Sequence, residues 1–151
     1  MLLPNGWLRD AAMSDETATT EKLLDLVRQT NAAWNRRDID TYLSLCTPDC
    51  TYQPVARHFD SRERGGRDDV QRFMEDFWEA WDDEFVIEID TMRVYGDAVV
   101  ARMRFKGRAR RSGIAINDRL YEVFWFRDGL IARFQDFVHR GEALKAVGVE
   151  E

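Results

Sequence analysis

RLYEVFWFRDGLIARFQDFV, residues Arg119–Val138, reads as two apolar strands joined at Arg127-Asp128-Gly129, with one acid inside each strand: Glu122 and Asp136. A carboxylate among aromatic side chains is costly unless hydrogen-bonded, and burial raises its pKa. Such groups are candidates for acid/base work. Whether the two can cooperate depends on the turn. Arg-Asp-Gly suits a three-residue loop, a type I turn closed by a left-handed glycine. That loop would pair Phe126 with Leu130, Phe124 with Ala132, Glu122 with Phe134 and Leu120 with Asp136. Both acids then share a face with Leu120, Phe124, Phe126, Leu130, Phe134 and Val138, as diagonal neighbours about 7–8 Å apart. A two-residue Asp-Gly turn would slip the register and put the acids on opposite faces.

The other face of the hairpin carries Tyr121, Val123, Trp125, Ile131 and Phe137, interleaved with Arg119, Arg133 and Gln135. It is too apolar for a solvated sheet surface. A homodimer through Tyr121, Val123, Trp125 and Phe137 is expected.

Upstream, Phe85–Tyr95 and Ala98–Arg108 flank Gly96-Asp97 as a second hairpin, and residues 106–113 form a basic connection. Val70, Phe73, Met74, Phe77, Trp78 and Trp81 fall at i, i+3, i+4, i+7, i+8 and i+11, which predicts a one-sided helix over 67–81. Asp68 and Asp69 suit its first turn. Leu23, Leu24, Val27 and Trp34 predict a helix over 21–35. A short helix over 38–46 follows, with Asp38 as N-cap and Pro48 ending it. Cys50–Gln53 is a short strand stopped by Pro54, and 55–66 is an Arg-rich loop. A short helix over 142–147 closes the chain. Helices followed by an antiparallel sheet predict an α+β fold. Residues 1–20 are expected to be a flexible tail, with 1–13 an extension ahead of a second plausible start at Met13, and 21–148 a single domain.

The chain has 28 acidic and 22 basic residues, a net charge of −6. That balance argues against nucleic acid or anionic membrane as partner. No apolar run reaches membrane-spanning length and no signal peptide is evident, so a cytoplasmic location is expected. Cys46 and Cys50 have only His58 and His139 as possible co-ligands, which is a poor zinc set. Two packed free thiols and no metal are expected.

Four motifs, Asn31-Ala-Ala-Trp-Asn-Arg-Arg-Asp-Ile-Asp40, Cys46-Thr-Pro-Asp-Cys-Thr-Tyr52, Gly66-Arg-Asp-Asp-Val-Gln-Arg-Phe73 and Phe126-Arg-Asp-Gly-Leu-Ile131, carry a resemblance to the nuclear transport factor 2-like superfamily. Within it the chain resembles the SnoaL-like, polyketide-cyclase-like branch, over roughly Glu21 to Gly148. The resemblance implies a cone: a curved antiparallel or mixed sheet with three N-terminal helices closing a pocket, and a short C-terminal helix. Members are commonly dimers, and include isomerases, cyclases, epoxide hydrolases and non-catalytic binders.

Glu122 matches the strand acid that holds the oxyanion in ketosteroid isomerases. The tyrosine of that pair is replaced by Thr30, and the general-base position falls at Gln53 or Pro54, neither of which takes a proton. Asp136, in Phe134-Gln-Asp-Phe137, matches the water-activating aspartate of limonene-epoxide-hydrolase-like members. Their Arg-x-Asp pair is incomplete, because the corresponding strand offers Arg102 and Arg104 but no acid.

The expected site is therefore Asp136 as proton acceptor with Glu122 as its partner. Two acids in one cavity repel, so one could act as acid and the other as base. An ion pair of Glu122 with Arg133 or Arg119 is the structural alternative. Substrate contacts are expected from Tyr52, Trp34, Thr30, His58, Phe73, Phe77, Met103, Phe124 and Phe134. The expected ligand is a small apolar, cyclic molecule undergoing isomerisation, cyclisation or hydration without a cofactor. The alternative is a non-catalytic ligand-binding or dimerisation module.

Overall fold

In the computed structural model, which describes residues 5–55 and 61–150 (side chains from Thr19 on), the turn of the decisive hairpin is the tighter one. Strands β5 (Ala115–Arg127) and β6 (Leu130–Phe137) close with Arg127 opposite Leu130. Asp128 and Gly129 both take positive φ, 54° and 77°, as a two-residue type I′ turn requires. The slip that such a turn implies does not reach the acids. Phe126 pairs with Ile131 and Trp125 with Arg133, so Ala132 is an extra residue, a β-bulge that restores the alternation. Phe124 then pairs with Phe134, and Glu122 lies directly opposite Asp136. The expected three-residue loop and diagonal placement are thus corrected, while the shared face stands. The bulge also turns Ile131 inward, fully buried against the core, where alternation from a regular hairpin put it outside.

The remaining elements are α1 (Asn5–Asn35), α2 (Ile39–Ser44), β1 (Cys46–Gln53), β2 (Arg64–Gly65), α3 (Arg67–Ala80), β3 (Val86–Tyr95), β4 (Ala98–Arg108) and α4 (Arg140–Ala146). The strands form one open six-stranded sheet in the order β2-β1-β6-β5-β4-β3. β1 runs parallel to β6 and every other neighbouring pair is antiparallel. This is the expected α+β fold with a mixed sheet. No helix among the described residues is long and apolar enough to cross a membrane.

Three boundaries differ from the sequence reading. The helix expected to begin at Glu21 is already helical from Asn5, since residues 7–35 hold neither glycine nor proline to stop it. β1 begins at Cys46 because five steps along it, Cys46 to Thr51, match only two on β6, Ile131 to Arg133. The excess loops out around Pro48, so a proline that would block a regular strand is accommodated. Arg64 and Gly65, expected in a loop, pair with Tyr52 and Thr51 as β2.

α2 starts where expected: the Asp38 carboxylate accepts the Thr41 N–H at 3.1 Å. α1 is fixed to the edge strand β3 by two asparagines. Asn35 both donates to the Ile87 carbonyl (2.8 Å) and accepts the Ile87 N–H (2.9 Å), while Asn31 donates to the same carbonyl (3.1 Å). Side-chain amides thus satisfy backbone groups that an edge strand leaves open.

The core lies between the inner sheet face and α1–α3, and is mostly aromatic. Trp34, Phe77, Trp81 and Phe105 surround Phe85 at centroid distances of 4.9–6.3 Å. Gly107 on β4 lies against the same ring. The outer face is not bare: Ala143 of α4 and Val147, its C-cap, belong to one apolar cluster with Val123, Val100 and Tyr95, and Arg133 sits 5.7 Å over Trp125. Part of the apolarity read as a dimer face is therefore covered by the chain itself.

Candidate functional site

The helices and the inner sheet face leave a narrow cavity in which the centre of a water-sized sphere can occupy about 40 Å³. That is room for roughly three waters. Each wall follows from local periodicity. Thr30 and Trp34 are one helical turn apart on α1, as are Phe73 and Phe77 on α3. Met103 and Phe105 alternate on β4, Glu122 and Phe124 on β5. Tyr52 of β1 stands beside Phe134 of β6 in parallel register, the rings stacked at 4.5 Å and 17°. Phe73 meets Tyr52 edge-on at 4.9 Å.

Of the residues expected at the site, Thr30, Trp34, Tyr52, Phe73, Phe77, Met103, Glu122, Phe124 and Phe134 all line this cavity. His58 lies outside the described residues. Asp136 is not on the wall. It is set one step back, 5% exposed, in contact with two residues that are on it. Asn31, Tyr42, Met74, Ile87 and Phe105 also line the cavity and were not expected there. Tyr42 could have been found: it is a phenol among the aliphatic positions of α2, one turn beyond the Asp38 cap. Asn31 and Ile87 belong to the α1–β3 clip, a long-range contact with no local signature.

The polar centre is a chain of three groups. The Tyr52 hydroxyl donates a short hydrogen bond to Asp136 Oδ2. Asp136 Oδ1 is buried and receives no N–H or hydroxyl. The carboxyl of Glu122, directly across the strand pair, is the remaining donor, and it can donate only when protonated. Burial first, then the like charge of Asp136, then the hydrogen bond between them push Glu122 well above the ordinary carboxyl range. Burial also raises Asp136, but hydrogen bonds from Glu122 and Tyr52 oppose that rise. Both carboxyls are thus raised, and the pair holds one shared proton above the ordinary carboxyl range. Burial, and then the negative potential of the two acids, raise Tyr52 well above its ordinary value, so it remains a donor. Tyr42 is raised in the same way.

Neither ion pair proposed as the alternative for Glu122 forms: Arg133 bonds Glu63 and Thr51, and Arg119 lies 3.6 Å from Asp90. No Arg, Lys or His is among the described residues lining the cavity. Cys46 and Cys50 are free and buried, and no cluster of three or more metal-binding side chains occurs among the described residues.

A family model described as a SnoaL-like domain matches residues 27–134. Among solved structures, the chain is similar to a hypothetical protein with a ketosteroid isomerase-like fold from Catenulispora acidiphila, determined in complex with trimethylamine. That similarity has 18% identity, a TM-score of 0.67, and covers 82% of this chain and 92% of that one. An NTF2-like protein of unknown function from Burkholderia pseudomallei aligns with 19% identity and a TM-score of 0.70, covering 85% and 98%. A protein from a soil-derived mobile gene cassette aligns with 18% identity and a TM-score of 0.73, also covering 85% and 98%. No curated protein matches in sequence.

Proposed function

The chain belongs to the SnoaL-like domain family, and on that premise we propose that it performs reversible proton transfer on a small, largely apolar molecule held in the aromatic cavity. The observation that carries this reading is the chain Tyr52–Asp136–Glu122, which ends on the cavity wall in Glu122, a carboxyl that burial and the adjacent acid push well above its ordinary range. A substrate oxygen lodged there meets Glu122. Glu122 gives its proton to that oxygen while its second carboxyl oxygen takes the proton from the adjacent carbon, so the C–H electron pair becomes the enol double bond and the carboxyl pair keeps one proton and one negative charge. That charge is stabilised by the Tyr52 hydroxyl, and the reverse step restores the carbonyl. Asp136, expected as the proton acceptor, is thus a positioning group that sets where Glu122 titrates. Isomerisation, cyclisation and hydration each need such a step. The cavity admits a few heavy atoms, so a single ring is the upper limit for the substrate without movement of Phe73 or Phe77.

A second reading, a non-catalytic binder of a small ammonium ion, is favoured by the absence of any basic residue among the described cavity walls and by the aromatic faces around one net negative charge. That a neighbour with a ketosteroid isomerase-like fold was determined in complex with trimethylamine supports this reading.

Hydrogen–deuterium exchange decides between them. Acetone and cyclopentanone are incubated with the protein in D2O and their α-protons followed by NMR. Exchange above the buffer rate in the wild type, falling to the buffer rate in Asp136→Asn, is the result expected for proton transfer. No exchange with either ketone, together with a shift of the Glu122 carboxyl resonance on adding trimethylammonium, would leave the binder.

A further inference from the structure

On the side of the sheet away from the aromatic cavity, a second concavity lies between α4 and strands β3–β5. Water centres can occupy about 350 Å³ of it. Register explains its lining. Thr91 of β3 pairs with Arg102 of β4, which pairs with Tyr121 of β5, so the three form one row across the outer face. Arg93, opposite Val100, begins the next row, and Tyr95 lies one alternation further along β3. Arg140, the first residue of α4, closes the groove from above.

Three guanidinium groups, two phenols and a threonine hydroxyl therefore meet at one groove, in a chain whose net charge is −6. No acidic residue is among the described residues that line it. Asp90 stands at the margin, 3.8 Å from Arg102 Nε and 3.6 Å from Arg119 Nε. The first distance is beyond hydrogen-bond length, and Arg102 Nε is buried with no acceptor at all. Guanidinium forks match tetrahedral and planar oxyanions with two parallel hydrogen bonds, and neutral hydroxyls can complete the ligation.

We propose that this outer groove is a binding site for a small phosphate-type oxyanion, held by Arg93, Arg102 and Arg140 with Thr91 and the two tyrosines as neutral donors. The apolar floor at Val100 and Leu144 favours an ester carrying a short apolar group over the bare ion. The site is independent of the proton-transfer reading: β4 sends Arg102 into the groove and its neighbours Ala101 and Met103 into the inner core.

The probe is inorganic phosphate, titrated against chloride at equal ionic strength and followed by calorimetry and by amide NMR shifts. Saturable binding is expected, with the shifts confined to β3, β4 and the start of α4. Arg93→Gln, at an exposed position, should weaken it about tenfold, the loss of one charge-assisted contact. Arg93→Lys should recover part of that loss, and Arg111→Gln, in the basic turn elsewhere, should leave it unchanged. Phosphate that binds no better than chloride, or equally well to Arg93→Gln, overturns the proposal. A dimer that excludes phosphate in sedimentation overturns it too, because a second copy then occupies the groove.

Discussion

Glu122→Gln is expected to be more stable than the wild type at pH 8 and no more stable at pH 4. The fold raises the Glu122 pKa through burial and the adjacent Asp136. Between the ordinary carboxyl pKa and that raised value, the folded protein binds a proton that the unfolded chain has released. Stability due to this group is therefore complete in acid, and is lost as pH rises through the folded pKa. Glutamine cannot ionise, yet its amide can still donate to Asp136, so the variant keeps the acid-form hydrogen bond at every pH. The gain at pH 8 should be on the order of 1–3 kcal/mol, the usual cost of an uncompensated buried polar group. Urea unfolding of both proteins from pH 4 to pH 9 measures it. Parallel curves would show that Glu122 titrates alike in both states and would remove the basis for the shared proton. The same substitution should lower ketone exchange about a hundredfold or more, the usual range for removing a general acid. A variant that is both more stable and inactive separates chemistry from folding.

Gly107→Ala should be the most damaging small substitution outside the site. A Cβ built on Gly107 would lie 2.4 Å from Phe85 Cδ2, 2.9 Å from Phe85 Cγ and 3.0 Å from Phe85 Cα. The last atom is backbone and cannot rotate away. Nor can the ring, because Phe85 is 2% exposed and enclosed by Trp34, Phe77, Trp81 and Phe105. Overpacking of this kind costs about 1–3 kcal/mol, which lowers the melting temperature of a domain this size by roughly 3–10 °C. Phe85→Leu in the same chain should recover part of the loss, so the pair should be less destabilising than the sum of its members. An unchanged melting temperature in Gly107→Ala would mean that β4 can move away from the ring.

These two cases mark what could be read from the residues. The stripe from Val70 to Trp78 and the Gly96-Asp97 turn are local patterns, and α3 and the β3–β4 hairpin follow them closely. The two acids share a face as expected, but through a tight turn and a compensating bulge rather than a three-residue loop. Either route satisfies the same apolar alternation, so the composition of the strands could not separate them. Gly107 read as part of a basic connection, because nothing near it in sequence announces that Phe85 will press against its backbone. The Asn31 and Asn35 contacts with Ile87 escape for the same reason, being more than fifty residues apart along the chain. The apolar outer face was legible; that α4 would cover part of it was not, since seven residues give too short a pattern to show where a helix will lie.

The bulge at Ala132 decouples the turn from the site. Its side chain serves neither the cavity nor the acids, so substitution there should be tolerated, and so should deletion: Ile131 and Arg133 would become neighbours, each still opposite its present partner, with Glu122 still opposite Asp136 in a regular hairpin. Loss of a residue beyond the bulge is different. Deleting Gln135 would put Asp136 opposite Val123 and carry it to the outer face, away from Tyr52 and Glu122, while it remained in the sequence. Members of this fold are therefore compared by the spacing from Phe134 to the last strand acid, not by the length of the turn.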